Sequence, residues 1–95
     1  MTVHAVVLIQ CEIDEIPEAA QAIAEIGGVS EVYSVAGEVD LVAIVRVEEH
    51  DDLASVIPGG IAKVDGVERT ETLIAFQVYS KHDLERMFSI GFEEG

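Results

Sequence analysis

Between Val3 and Cys11 apolar side chains occupy both alternations of the chain, Val3, Ala5, Val7 and Ile9 on one and Val6 and Leu8 on the other. Successive side chains of a strand point to opposite faces, so a strand apolar on both has to be covered on both. After Asp14 the period lengthens. Ile16, Ala19, Ala20, Ile23 and Ile26 fall at helical spacing, and Gly27-Gly28 ends the run. Asp14 suits the N-cap of this helix, and Pro17 lies in the first turn, where a missing amide is tolerated. A second strand is expected over residues 29–36, with Val29, Glu31, Tyr33 and Val35 on one side and Ser30, Val32 and Ser34 on the other. A third, over 40–47, is apolar on both sides until Arg46. A second helix starts near Asp51 or Asp52 and carries Leu53, Val56, Ile57, Ile61 and Val64. Pro58-Gly59-Gly60 lies inside that pattern and predicts a kink or a break. A fourth strand, over 67–79, alternates Leu73 and Ala75 against Ile74, Phe76 and Val78. Ser80-Lys81-His82-Asp83 then has capping-box form and opens a short C-terminal helix. Leu84, Met87, Phe88, Ile90 and Phe92 give that helix an apolar face, expected to dock on a sheet edge of its own chain or a partner's.

The order strand, helix, strand occurs twice, and the two copies align at a constant offset without a gap. Ala5 falls on Ala43, Val7 on Val45, Asp14 on Asp52, Ile23 on Ile61, Ala24 on Ala62, and Gly28-Val29 on Gly66-Val67. A single such unit cannot bury its own apolar faces. Two of them merging into one sheet predict an α+β, ferredoxin-like βαββαβ sandwich. It has a four-stranded antiparallel sheet, two helices on one face and the short C-terminal helix in addition. Helices cover one face, and a second subunit is the natural cover for the other.

Composition narrows the function. The 95 residues make one domain, 1–95. Its hydrophobic content of 49% is high beside 25% charged residues, and the mean hydropathy is +0.34. That surplus calls for burial beyond one small core, which self-association supplies. Five Lys and Arg against nineteen Asp and Glu leave a net charge of −14. A phosphate backbone is repelled by such a chain, so direct nucleic-acid binding is not expected. Cys11 is the only cysteine. With no possible intrachain disulfide, no basic leader and no apolar stretch of membrane length, the reading is a cytoplasmic, soluble protein without membrane contact.

Catalytic and metal motifs are wanting. His4, His50 and His82 fall in three separate segments without metal-ligand spacing, and no nucleophile elbow or phosphate loop is present. No metal, cofactor or catalytic residue is therefore assigned. The segment joining the second and third strands is different. In Val35-Ala36-Gly37-Glu38-Val39-Asp40 the glycine frees backbone amides that could take a carboxylate, and Asp40 could take an ammonium group. Those are the two poles of a free amino acid. A plain hairpin turn with Asp40 capping it is the alternative.

Gly28-Val29 leading to Ala36-Gly37-Glu38-Val39-Asp40-Leu41, followed by Asp65-Gly66-Val67-Glu68-Arg69-Thr70-Glu71-Thr72, closely resembles the effector-binding domain of the Lrp/AsnC (feast/famine) regulators. The resemblance covers nearly the whole chain. It implies a domain that dimerises through its sheet, assembles dimers into a higher, octamer-like ring, and binds small molecules, typically amino acids, between dimers. Gly37 and Asp40 match the family's loop, and Thr70 and Thr72 match its strand motif. The ligand-binding set is accordingly Ala36, Gly37, Glu38, Asp40, Thr70 and Thr72. Two positions depart from the pattern. Ala36 stands where a hydroxyl is frequent and Val39 where an aromatic is usual, which removes a hydrogen bond and a stacking surface. The full-length regulators carry an N-terminal helix-turn-helix domain. With its first strand at Val3, this chain resembles a stand-alone effector domain able to sense a metabolite or to modulate a full-length relative.

Two rivals come from other classes. A small dimeric ferredoxin-like enzyme, such as a cofactor-free monooxygenase, would use His4 or Tyr33 facing a cavity between sheet and helices. A metal or stress-response binding protein would use the acidic surface.

Overall fold

The computed structural model of the chain describes residues 2–81. β1 (Val3–Cys11) leads through a 3-10 turn at Ile13–Glu15 into α1 (Ile16–Ala24). Then come β2 (Val29–Ser34), β3 (Leu41–Val47), α2 (Asp52–Val56), a second 3-10 turn at Ile61–Lys63, and β4 (Val67–Ile74). The strands form one sheet in the order β2-β3-β1-β4, and every neighbouring pair is antiparallel. This is the expected ferredoxin-like arrangement.

One alternation of each central strand builds the core. Ala5, Val7, Ile9 and Cys11 of β1 and Leu41, Ala43 and Val45 of β3 are buried beneath Ala19 and Ile23 of α1 and Leu53, Val56, Ile57 and Ile61 of the second helical segment. The opposite alternation forms an open face. Val6, Leu8, Val42 and Ile44 there are only half-buried, and Leu73 and Tyr33 are about half exposed. Within one chain the helices thus cover one apolar face and leave the other to solvent.

The repeat survives in the turns. The Ile26 N–H donates to the Ile23 carbonyl and the Val29 N–H to the Ile26 carbonyl; at the matching place in the second copy, Val64 donates to Ile61 and Val67 to Val64. Gly28 (φ 97°) and Gly66 (φ 92°) then reverse the chain in the same conformation. A Cβ on either would lie 2.7 Å from Val56 or 2.6 Å from Glu15, so both conformation and space require glycine. The strand pairing does not repeat. Val29 lies opposite Val45, whereas Val67 lies opposite Cys11 rather than opposite Val7, the position that the offset would give it.

The second helix breaks after Val56, as Pro58 dictates. Other element boundaries differ from expectation. The turn before α1 uses the Glu15 N–H on the Glu12 carbonyl, Pro17 holds the first turn, and α1 starts at Ile16 with Glu15, not Asp14, at its cap. β2 stops at Ser34, where β3 ends its pairing at Leu41. β4 stops at Ile74 rather than continuing to Tyr79, because its ladder on β1 ends at Ala5 opposite Ile74 and only the Ala75 N–H still reaches β1, at the His4 carbonyl. The expected C-terminal helix, with His82, lies outside the described residues.

Candidate functional site

The segment between β2 and β3 is tied down on two sides. The Val35 N–H donates to the Asp40 carbonyl (3.0 Å) and the Asp40 N–H to the Ile9 carbonyl (2.9 Å). The Cys11 N–H donates to Asp40 Oδ2 at 2.9 Å, and Gln10 Nε2 donates to the Glu38 carbonyl at 3.0 Å. The loop therefore sits against the end of β1. Gly37, at φ 149°, forms its exposed tip, and a Cβ there would meet nothing within 4 Å.

Where this loop meets β1 and the start of β4, a cleft of about 140 Å³ opens, lined by Leu8, Gln10, Glu38, Val39, Arg69, Thr70 and Glu71. The register builds it: Arg69 lies opposite Gln10 and Glu71 opposite Leu8, so both point to the open face of the sheet. Glu38 and Val39 of the loop close the remaining side. Engineered cavities of about 150 Å³ hold one benzene ring, so this cleft has room for a compact molecule of some six non-hydrogen atoms. Among the described residues, Arg69 is the one cation on its wall, and Glu38 and Glu71 are its two carboxylates. Leu8 and Val39 supply apolar surface.

The six residues singled out from the sequence do not all meet. Glu38 and Thr70 line this cleft. Thr72 lies opposite Val7, on the helix side of the sheet, and lines a different cleft of about 450 Å³ with residues of α2. Ala36 and Gly37 stand exposed at the loop tip. Asp40 is half-buried, and one of its oxygens is already engaged by the β1 backbone. Gln10, Arg69 and Glu71 also line the cleft, and the sequence alone does not single them out. Their signal was parity, since Arg69 and Glu71 share one face of β4, but only the β1–β4 register brings that face to the loop.

Cys11 lies at the back of the Asp40 contact. Burial pushes its thiol pKa above the usual value, and the Asp40 and Glu68 carboxylates push it the same way, so at neutral pH it remains a protonated thiol. At Tyr33 the cause differs: the Glu31 carboxylate beside it favours the protonated phenol and raises its pKa.

The geometry required by the enzyme rival is not met. His4 lies opposite Arg46 and Tyr33 opposite Val42, which puts both on the open face and not in a cavity between sheet and helices. Among the described residues no three His, Cys, Asp or Glu side chains are grouped to hold a metal ion. Nor is any described helix long and apolar enough to cross a membrane.

Residues 4–84 match the Lrp/AsnC ligand binding domain. Among solved structures, TTHA0845 from Thermus thermophilus is 46% identical with a TM-score of 0.79, the match covering 83% of this chain and 99% of that one. Escherichia coli AsnC is 25% identical with a TM-score of 0.76, over 82% of this chain and 53% of AsnC. An uncharacterized HTH-type transcriptional regulator of Pyrococcus horikoshii is 37% identical over 62% of this chain. The match spans only 39% of that regulator's length.

Proposed function

The chain belongs to the Lrp/AsnC ligand-binding-domain family, which serves transcription regulation and not catalysis, and on that premise we propose that it is a cytoplasmic amino-acid-sensing and assembly domain. The observation that carries the ligand reading is the charge pattern of the 140 Å³ cleft. Arg69 offers a fork of donors to a carboxylate, Glu38 and Glu71 offer acceptors to an ammonium group, and Leu8 and Val39 give a short side chain an apolar seat. A zwitterion satisfies all three, whereas a simple anion or cation leaves one charge opposed. The site is thus centred on Glu38, Arg69, Thr70 and Glu71. Gly37 and Ala36 shape the loop, Asp40 anchors it, and Thr72 serves the opposite face. The volume favours a small amino acid over an aromatic one.

Assembly follows from the open face. Val6, Leu8, Val42, Ile44 and Leu73 form a continuous apolar patch, and patches of this kind mark interaction sites. A second copy laid face to face buries it, and the cleft, which shares Leu8 with that face, then borders the subunit contact. Further association of dimers into a ring, and mixed assembly with a full-length relative, are the routes by which occupancy would be passed on. The chain's own surface, at −14, gains nothing from counterion release and has no direct grip on DNA.

Thermal stability against a panel of free amino acids tests the reading. A ligand at a hundred times its Kd stabilises by about 2.7 kcal/mol. The expected result is a shift with small amino acids that disappears in Arg69→Ala and in Glu38→Ala, both exposed positions whose loss leaves the fold intact. A wild-type shift retained in both variants would place the ligand elsewhere.

A further inference from the structure

Beyond β4 the chain leaves the body of the fold. The Ala75 N–H still donates to the His4 carbonyl at 2.9 Å, and there the pairing ends. Phe76 is 102% exposed, and Val78 and Tyr79 are exposed with it. No charged residue falls between Thr72 and Ser80. An apolar, uncharged arm therefore projects from a strongly acidic protein.

The helix side of the sheet holds a matching recess, the cleft of about 450 Å³ between α2 and β4. Leu53, Ala54, Ile57, Pro58 and Ile74 give it an apolar lining, and among the described residues Asp51 is its one carboxylate. Ile74 is two residues before Phe76. Phe76 is nonetheless fully exposed, so its ring does not occupy the cleft of its own chain.

We propose that a second copy of the chain fills this cleft, placing its Phe76 among Leu53, Ala54, Ile57 and Pro58 and receiving the first copy's Phe76 in return. Charge selects the occupant. Two chains of −14 can approach only on surfaces poor in carboxylates, and the arm has none while the cleft has one. Size agrees, since a ring that fits a cavity of about 150 Å³ enters this one with room for neighbouring arm residues. Area agrees too. Phe76 and Tyr79 together offer roughly 300–500 Å² per chain, half of the roughly 800 Å² per partner of a standard interface, and a two-fold axis makes the contact twice. The exchange rests on the self-association proposed above and adds a second contact to it, distinct from the open sheet face.

Single-cysteine chains test it. In a Cys11→Ala background, Phe76→Cys protein is mixed with Ala54→Cys protein and oxidised. Exchange predicts a disulfide joining position 76 of one chain to position 54 of another, at twice the chain mass. It also predicts that Phe76→Ala in the otherwise native chain weakens self-association about thirtyfold or more, as an anchor residue does. If light scattering reports a multimer but no 54–76 link forms, or Phe76→Ala associates like the native chain, the exchange is overturned and open-face assembly stands. A chain carrying both cysteines that cross-links within itself assigns the cleft to its own arm and also overturns the exchange. A native chain that is monomeric at micromolar concentration overturns both proposals.

Discussion

Gly28 and Gly66 show how far a single residue decides this fold. Each turns the chain at positive φ with no room for a methyl group. Forcing an L-residue into such a conformation costs about 1–2 kcal/mol, and overpacking about 1–3 more. Gly28→Ala and Gly66→Ala should therefore each lower the stability by about 2–5 kcal/mol, read as a fall in the urea midpoint at constant slope. Gly37→Ala, where nothing would be met, should lose only the smaller backbone share. Equal losses at all three would show that packing plays no part. Cys11 supplies a pH dependence. Burial, Asp40 and Glu68 all favour its neutral thiol, so the folded chain holds the proton more tightly than the unfolded one. The resulting stabilisation is complete below the ordinary thiol value of 9.0 and is lost as pH rises through the raised folded value. Urea titrations of the native chain and Cys11→Ala from pH 7 to 10.5 should diverge only above about pH 9, with the native chain falling faster.

At the scale of elements, the contact between the loop and the end of β1 changes how the candidate site can be probed. The sequence alone leaves Asp40 either holding an ammonium group or capping a plain hairpin turn. In the structure Asp40 Oδ2 accepts the Cys11 N–H, and Asp40→Ala orphans a part-buried donor, which costs about 1–3 kcal/mol. Asp40→Asn keeps an acceptor at the same place and should recover most of that loss in thermal melts. Equal melting temperatures for Asp40→Ala and the native chain would show that the bond is replaced by water. Much of this level was legible beforehand. The apolar alternation of β1, the helical spacing from Ile16 to Ile23 and the break at Pro58 all appear as read. What was not legible was termination: β4 leaves β1 at Ile74 although β1 itself runs on to Val3, and nothing in Ala75 or Phe76 announces that.

The whole molecule is marked by the mismatch between its apolar surface and what one chain can cover. Light scattering at micromolar concentration should report at least twice the chain mass of 10.2 kDa. Val42→Glu in a Phe76→Ala chain, which puts a carboxylate on the half-buried open face and removes the arm contact as well, should be a monomer with unchanged far-ultraviolet circular dichroism. A native monomer, or a dimer that survives both changes, would remove the open face as the seat of assembly. What the sequence by itself determined was every property that depends on near neighbours: the two strand-helix-strand units, the paired Gly-Val turns, the family resemblance and the acidic surface. Local periodicity and turn chemistry are written within a few residues of where they act. The register between β1 and β4 was decided only in three dimensions. That pairing departs from the internal repeat, bringing Val67 opposite Cys11, and a register shift between Gln10 and Cys11 then sets Arg69 and Glu71 opposite Gln10 and Leu8 on the side of Glu38 and Thr72 opposite Val7 on the other face. Strands far apart in sequence choose their offset by packing both faces of the sheet at once, and a slip of one residue exchanges those faces.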